Sequence, residues 1–244
     1  TTIHEIDAEN RVVSIQSGVS HRSLTSALAK KRLRWPVDAL DGQHSVGTTV
    51  VTGVSLVKSL SLPNLRHWLL GSRWLLGRGT FIGAGGKTIK NSAGYDITRA
   101  LVGTFGNFAI PIDFQLKLNM IPDIRLSAVL KAETDLIEAA LRKPRGIESI
   151  HMRTMDGEEA SALISIAGCK KDIEVALATL QDRKISWKEA GVEESYSLDS
   201  SWMKTGSPTI KWTASPTACA DILIALSQAV PRHSVFSAPL GRWG

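Results

Sequence analysis

From Gly85 to Leu118 the chain reads G-G-K-T-I-K-N-S-A-G-Y-D-I-T-R-A-L-V-G-T-F-G-N-F-A-I-P-I-D-F-Q-L-K-L. A polar, glycine-punctuated stretch (Lys87 to Asp96) runs into an apolar one. Gly94, Gly103 and Gly106 then stand where backbone can approach a flat or phosphorylated ligand, since glycine carries no side chain and takes positive φ freely. A planar ring bearing a pyrophosphate needs backbone N–H donors, small residues and a few apolar walls. The glycines supply close approach, and Phe108 and Ile110 supply wall.

Other phosphate and nucleophile chemistries fail on spacing. Gly86-Lys87-Thr88 ends like a phosphate-binding P-loop, but Phe81 stands where that motif needs its first glycine. Both candidate dinucleotide fingerprints fail as well: after Gly83-Ala84-Gly85 the last glycine falls at Thr88, and after Gly77-Arg78-Gly79 at Ile82. No G-x-S-x-G or H-E-x-x-H occurs, and the six histidines lie too far apart for a ligand pair. No metal site is expected. Cys169 and Cys219 are the only cysteines, with no C-x-x-C, so an iron–sulfur cluster held by this chain alone is excluded. They read as two buried free thiols, with a disulfide between them as the alternative that nothing in the sequence requires.

The elements that position the glycines follow from periodicity. Arg11 to Ser17 is rich in β-branched residues and reads as a strand ended by Gly18. Ser20 offers an N-cap to a helix carrying Leu24, Ala27, Leu28 and Leu33, which Trp35-Pro36 breaks. The basic cluster Lys30-Lys31-Arg32 with Arg34 falls at the end of that helix, where its dipole favours cations. Ser45 to Gly86 reads as short strands and glycine turns. After Pro122 the pattern changes: a strand over 125–130, a helix over 134–143, strands near 146–153 and 160–167, a helix over 171–183, a strand over 209–214 and a helix over 217–229. That β-α-β-β-α-β order is ferredoxin-like. Trp68, Trp74 and Trp212 read as core or interface aromatics.

At 244 residues, 43 % hydrophobic and 21 % charged, the composition is that of a soluble globular protein. The net charge of +6 is spread along the chain rather than set in one stripe with aromatics, which argues against nucleic-acid binding. No apolar run approaches the length of a membrane span, and no signal peptide opens the sequence. A cytoplasmic location is expected.

The ordered motifs together resemble the PCMH-type FAD-binding family (the vanillyl-alcohol oxidase type), and within it the FAD-linked subunits of glycolate oxidase. Ile3–Asp7 resembles the strand after the first flavin subdomain, and Val13 to Val19 its strand-then-glycine step. Arg34-Trp35-Pro36-Val37-Asp38 resembles the proline segment bordering the flavin. Ser45-Val46-Gly47-Thr48-Thr49-Val50 corresponds to the T-I-G-G segment whose backbone amides approach the flavin. Lys90-Asn91-Ser92-Ala93-Gly94-Tyr95-Asp96 is close to K-N-x-A-G-Y-D and is the most specific piece. Gly103-Thr104-Phe105-Gly106-Asn107-Phe108-Ala109-Ile110 stands where the family has G-S-x-G-T-L-G-V.

The resemblance implies an α+β fold: a PCMH-type FAD-binding subdomain over 1–122, then a ferredoxin-like α+β domain over 123–244. The family's glycine-rich pyrophosphate loop would precede Thr1, and the second domain would be incomplete at its C-terminal end. It implies FAD as cofactor, with Pro36, Gly47, Thr48, Thr49, Gly53, Asn91, Gly94, Tyr95, Asp96, Gly103, Gly106 and Ile110 around it. The implied reaction oxidises a small 2-hydroxy acid to the 2-oxo acid and passes electrons to an iron–sulfur partner subunit, beside a second FAD-linked subunit. Those partners would supply any attachment to a membrane. Thr48 and Ala109 replace family glycines, and Phe105 replaces a frequently polar residue. The absence of H-x-G-D-G-N fits the E-type subunit, and no histidine or tyrosine stands in a motif that assigns the proton-accepting base. The alternative is a structural subunit that keeps the fold without binding flavin.

Overall fold

The computed structural model describes residues 1–37, 44–53, 65–86, 96–131, 145–153, 161–180, 186–189 and 235–237. They fall into two compact units, the second beginning at Pro122. The class is α+β.

The first unit is built on a five-stranded antiparallel sheet. Its strands are β1 (Ile3–Asp7), β2 (Val12–Gln16), β4 (Leu69–Leu76), β5 (Phe81–Gly85) and β6 (Ala109–Lys117), in the order β1-β2-β6-β4-β5. Period-two alternation sends Val13, Ile15, Trp74, Phe114 and Leu116 to one face, where all are buried. Trp74 and Phe114 meet edge to face at 5.8 Å. The indole N–H of Trp74 donates to Ser72 Oγ at 2.7 Å, and the Ser72 hydroxyl donates to Thr98 Oγ1 at 3.0 Å. Thr98 in turn donates to the Ala84 carbonyl at 3.1 Å. This chain ties the short helix α3 (Ile97–Ala100) to β4 and β5, and it satisfies the polar atoms that the core would otherwise strand.

Helix α1 (His21–Ala29) starts as the sequence predicts. Ser20 is its N-cap, its Oγ accepting from the Ser23 amide at 3.2 Å. The helix is shorter than the apolar spacing suggests: Leu33 belongs instead to β3 (Leu33–Arg34), which pairs with β7 (Asn119–Met120). Arg32 at φ +55 makes the turn between them.

The segment expected to hold only strands and turns contains a helix, α2 (Val46–Thr52). Its sequence, V-G-T-T-V-V-T, has poor helix propensity because of its β-branched residues and glycine. Its ends form it. Ser45 caps the start, its Oγ accepting from the Thr48 amide at 3.1 Å, and Gly53 closes the end in the left-handed conformation, φ +67.

The second unit holds β8 (Ile124–Lys131), β9 (Ile147–Arg153), β10 (Ser161–Gly168), β11 (Lys188–Glu189) and β12 (Val235–Ser237), ordered β11-β8-β10-β9-β12 and antiparallel throughout. The first four stand in the 4-1-3-2 strand order of a ferredoxin-like layer, counting β11 fourth among the described strands; the strand expected over 209–214 lies outside the described residues. Helix α4 (Lys170–Thr179) packs on β10 with Ile173 and Ala176 buried. The sheet interior carries a buried ion pair, Arg125 Nη2 to Glu148 Oε1 at 2.9 Å, and a Ser127–Ser165 hydroxyl contact at 3.2 Å. The helices over 134–143 and 217–229, Trp212 and Cys219 lie outside the described residues. Cys169 is exposed, not buried, because it is the N-cap of α4.

Candidate functional site

Helix α2 joins two of the segments that the sequence singles out. At its start the Val46 amide donates to the Val19 carbonyl (2.8 Å), Gly47 to Ser17 (2.7 Å), and Thr49 to Ser45 (3.2 Å). With Thr48 donating to Ser45 Oγ, every amide of the first turn has a protein acceptor. The amides expected to approach a cofactor at Gly47, Thr48 and Thr49 are therefore engaged by the chain itself. Gly47 is glycine for the same reason: a Cβ there would lie 2.9 Å from the Ser17 carbonyl oxygen. What remains open on this turn is the exposed Thr48 side chain, whose Oγ1 meets Ser45 Oγ at 3.0 Å.

At the other end of α2 the last carbonyls, which a helix cannot satisfy itself, are taken by the glycine loop. The Gly103 amide donates to Val50 at 3.0 Å and the Phe105 amide to Val51 at 2.7 Å. Gly53 and Gly103 stand back to back; a Cβ on Gly53 would lie 2.9 Å from the Gly103 Cα. Gly103 (φ +80), Phe105 (φ +56) and Gly106 (φ +76) are left-handed, so the loop turns sharply on itself. Phe105 is 69 % exposed and Phe108 70 %, with Ile110 also exposed. A left-handed phenylalanine held out in solvent is an uncommon conformation for a bulky residue.

The structure thus sets Gly53 against Gly103 at one end of α2, with Gly47 and Thr48 on its first turn and Thr49 between them and Gly53. Pro36 is buried beside Trp35 and Val37. Asp96 caps α3: its Oδ1 accepts from the Arg99 amide at 3.0 Å and its Oδ2 faces Arg99 Nε at 3.2 Å. Asn91, Gly94 and Tyr95 lie outside the described residues.

Sequence reasoning passed over His21, the first residue of α1. It is buried, and its Nε2 lies 2.7 Å from Thr49 Oγ1 on α2. Its ring sits 5.3 Å from that of Trp35. The signal available in the sequence was the pair of capped turns, Ser20 before His21 and Ser45 before α2, which a bridge between Ser20 and Ser45 sets side by side.

A hollow of about 320 Å³ lies on the other face of the sheet, lined by Gly71, Arg73, Gly83, Gly85, Asp113 and Gln115 among others. Arg73 and Asp113 form an ion pair across its floor and His4 lies 3.5 Å from the same carboxylate, so its charges answer one another and leave little for a phosphate.

A flavin dinucleotide needs backbone approach and open space. Gly106 meets that requirement directly: nothing lies within 4 Å of the place a Cβ would occupy, and its amide has no acceptor among the described residues. Gly103 is nearly as open, its nearest neighbour 3.8 Å away. The loop geometry fits the group.

The FAD binding domain family matches residues 1–85. The chain is 31 % identical over 167 residues to a D-lactate dehydrogenase of Archaeoglobus fulgidus, covering 64 % of this chain and 37 % of that protein. It is 32 % identical over 139 residues to the glycolate oxidase subunit GlcD of Bacillus subtilis (57 % and 29 %). It is 36 % identical over 76 residues to the glycolate oxidase subunit GlcE of Escherichia coli (31 % and 21 %). The chain thus spans under two fifths of the length of these curated relatives. In fold it is similar to alkyldihydroxyacetonephosphate synthase, with a TM-score of 0.66 at 14 % identity over 83 % of this chain and 48 % of that one. Residues 1–85 therefore match an FAD binding domain, within a chain of α+β class, and FAD is the cofactor that this match indicates.

Proposed function

We propose that this chain is the FAD-binding part of a 2-hydroxy-acid oxidase or dehydrogenase, an FAD-linked subunit of the glycolate-oxidase type. The observation that carries the reading is the glycine loop 103–106, anchored on α2 by two amide hydrogen bonds and open at Gly106. Relatives whose names specify D-lactate and glycolate support the substrate class, a small carboxylate with a hydroxyl on the neighbouring carbon.

Bound FAD would supply the two-electron acceptor for oxidation of the hydroxyl-bearing carbon to the carbonyl of a 2-oxo acid. The chain's own part is to bind and orient. Gly103 and Gly106 give close backbone approach, and the Gly106 amide donates to the cofactor. The Thr48 hydroxyl stands exposed on the first turn of α2, and Phe108 and Ile110 supply apolar wall against the ring. Pro36, Gly47, Gly53, Asn91, Gly94, Tyr95 and Asp96 complete the surround, directly or by holding the backbone. Thr49 acts from behind, its hydroxyl turned to His21. With two cysteines in the sequence, onward electron transfer falls to an iron–sulfur partner subunit, beside a second FAD-linked subunit. Among the described residues no helix is long and apolar enough to cross a membrane.

A second reading, a structural subunit without flavin, is favoured by the first turn of α2, whose amides are all taken by the protein. An absorption spectrum of the purified chain, with acid release of any chromophore, separates the two. Flavin bands with FAD in the supernatant support the oxidase. A protein that stays colourless after refolding with FAD contradicts it.

A further inference from the structure

We propose that His21 is a positioning residue for the flavin loop, acting through Thr49 on helix α2; this rests on the FAD reading above. The contact joins α1 to α2 and is buried on both sides, and its 2.7 Å separation marks a hydrogen bond of good length. It sits in the middle of α2, four residues after the Ser45 cap and four before Gly53. Val46 and Val50 are fully buried and anchor α2 in the core. Its start is held by the Val19 and Ser17 carbonyls, and its end holds Gly103 and Phe105. A seven-residue helix of β-branched residues has no stability of its own, since isolated helices need roughly twelve residues or more even with good propensity. Its placement is therefore set from outside.

His21 supplies a buried side-chain hydrogen bond to the middle of α2. The imidazole is itself fixed, its backbone amide donating to the His44 carbonyl at 3.1 Å and its ring lying against Trp35. The chain of placement runs from Trp35 and His21 to Thr49, through α2 to Val50 and Val51, and on to the amides of Gly103 and Phe105. Trp35 neighbours Pro36, so the proline segment, α2 and the glycine loop share one support. His21 does not touch the cofactor; it decides where the loop that does so stands.

The test compares Thr49→Val, Thr49→Ser, His21→Gln and His21→Leu in the full chain. Two readouts are taken: amide hydrogen exchange without cofactor, and FAD affinity by titration. Losing the buried hydrogen bond in Thr49→Val and His21→Leu should speed exchange at Gly53, Gly103 and Phe105 by about tenfold or more. Exchange in β2, β4 and β6 should stay as in the wild type, and FAD affinity should fall by about tenfold. Thr49→Ser, which keeps the hydroxyl, and His21→Gln, which keeps a polar partner, should recover most of both. Unchanged exchange at Gly103 and Phe105 in both Thr49→Val and His21→Leu would overturn the proposal. So would faster exchange spread evenly over the sheet, the mark of a general core lesion. If the wild-type chain binds no FAD, the reading above fails, while the exchange data still decide whether His21 positions the loop.

Discussion

At the scale of single residues, the site depends on which glycines are needed by the chain and which leave room for something else. Gly47 and Gly53 are needed by the chain, because a side chain on either would strike backbone. Gly53→Ala combines a left-handed φ with the 2.9 Å approach to Gly103 and should cost about 2 kcal/mol or more. A thermal-melt comparison with the wild type checks it, and an unchanged midpoint would mean that the two glycines are not packed as described. Gly106 is the other kind, left-handed but open. The sequence distinguishes neither kind, because both roles are filled by the same residue type. It does mark the stretch as a whole, since Gly103 and Gly106 stand in a motif whose order can be read without coordinates. Thr49 shows where that reading stops. Its place in the motif suggested contact with the cofactor, but only the fold reveals that its hydroxyl faces His21, twenty-eight residues earlier.

At the scale of elements, strands and caps were legible and α2 was not. The alternation over 11–17 and the Ser20 cap carry through directly, because each is decided by residues close in sequence. Val46–Thr52 takes helical form against its own propensity because Ser45, Gly53 and carbonyls from distant residues fix it. Leu33 follows the helical period of α1 yet lies in β3, since Arg32 turns the chain and β7 offers a partner.

Helix α4 shows the same dependence on its ends, with a consequence for pH. Asp172 is held below the ordinary carboxylate value, chiefly by the Cys169 Sγ–H at 3.0 Å, then by Arg145 and by the Cys169 amide. A carboxylate whose folded pKa is depressed adds stability that is present above its unfolded pKa and is lost as pH falls through the folded one. The wild-type chain should therefore lose this contribution below about pH 4. Asp172→Asn should lack that part of the acid loss and be the less stable form near neutrality. Urea midpoints from pH 6 to pH 3 check the point, with equal slopes for both proteins counting against it.

At the scale of the molecule, the two units divide the labour that the resemblance implies. The first carries the family match and the glycine loop, and the second is an antiparallel sheet with one described helix on it. The strands over 125–130, 146–153 and 160–167 and the helix from 171 were legible from alternating periods, whereas the two-residue β11 is too short for any periodicity to reveal.

The central claim is that the open face of the 103–106 loop receives FAD. It is tested most directly by FAD titration of the wild-type chain, Gly106→Val and Gly79→Val. Gly79 is also left-handed (φ +81) with nothing within 4 Å, but it lies in the β4–β5 turn. The two substitutions should thus cost similar backbone strain, about 1–2 kcal/mol each. The account predicts saturable binding of one FAD by the wild type, retained in Gly79→Val and lost or weakened at least tenfold in Gly106→Val, the latter corresponding to about 1.4 kcal/mol. Equal FAD affinity in all three proteins, or none in the wild type, would contradict it.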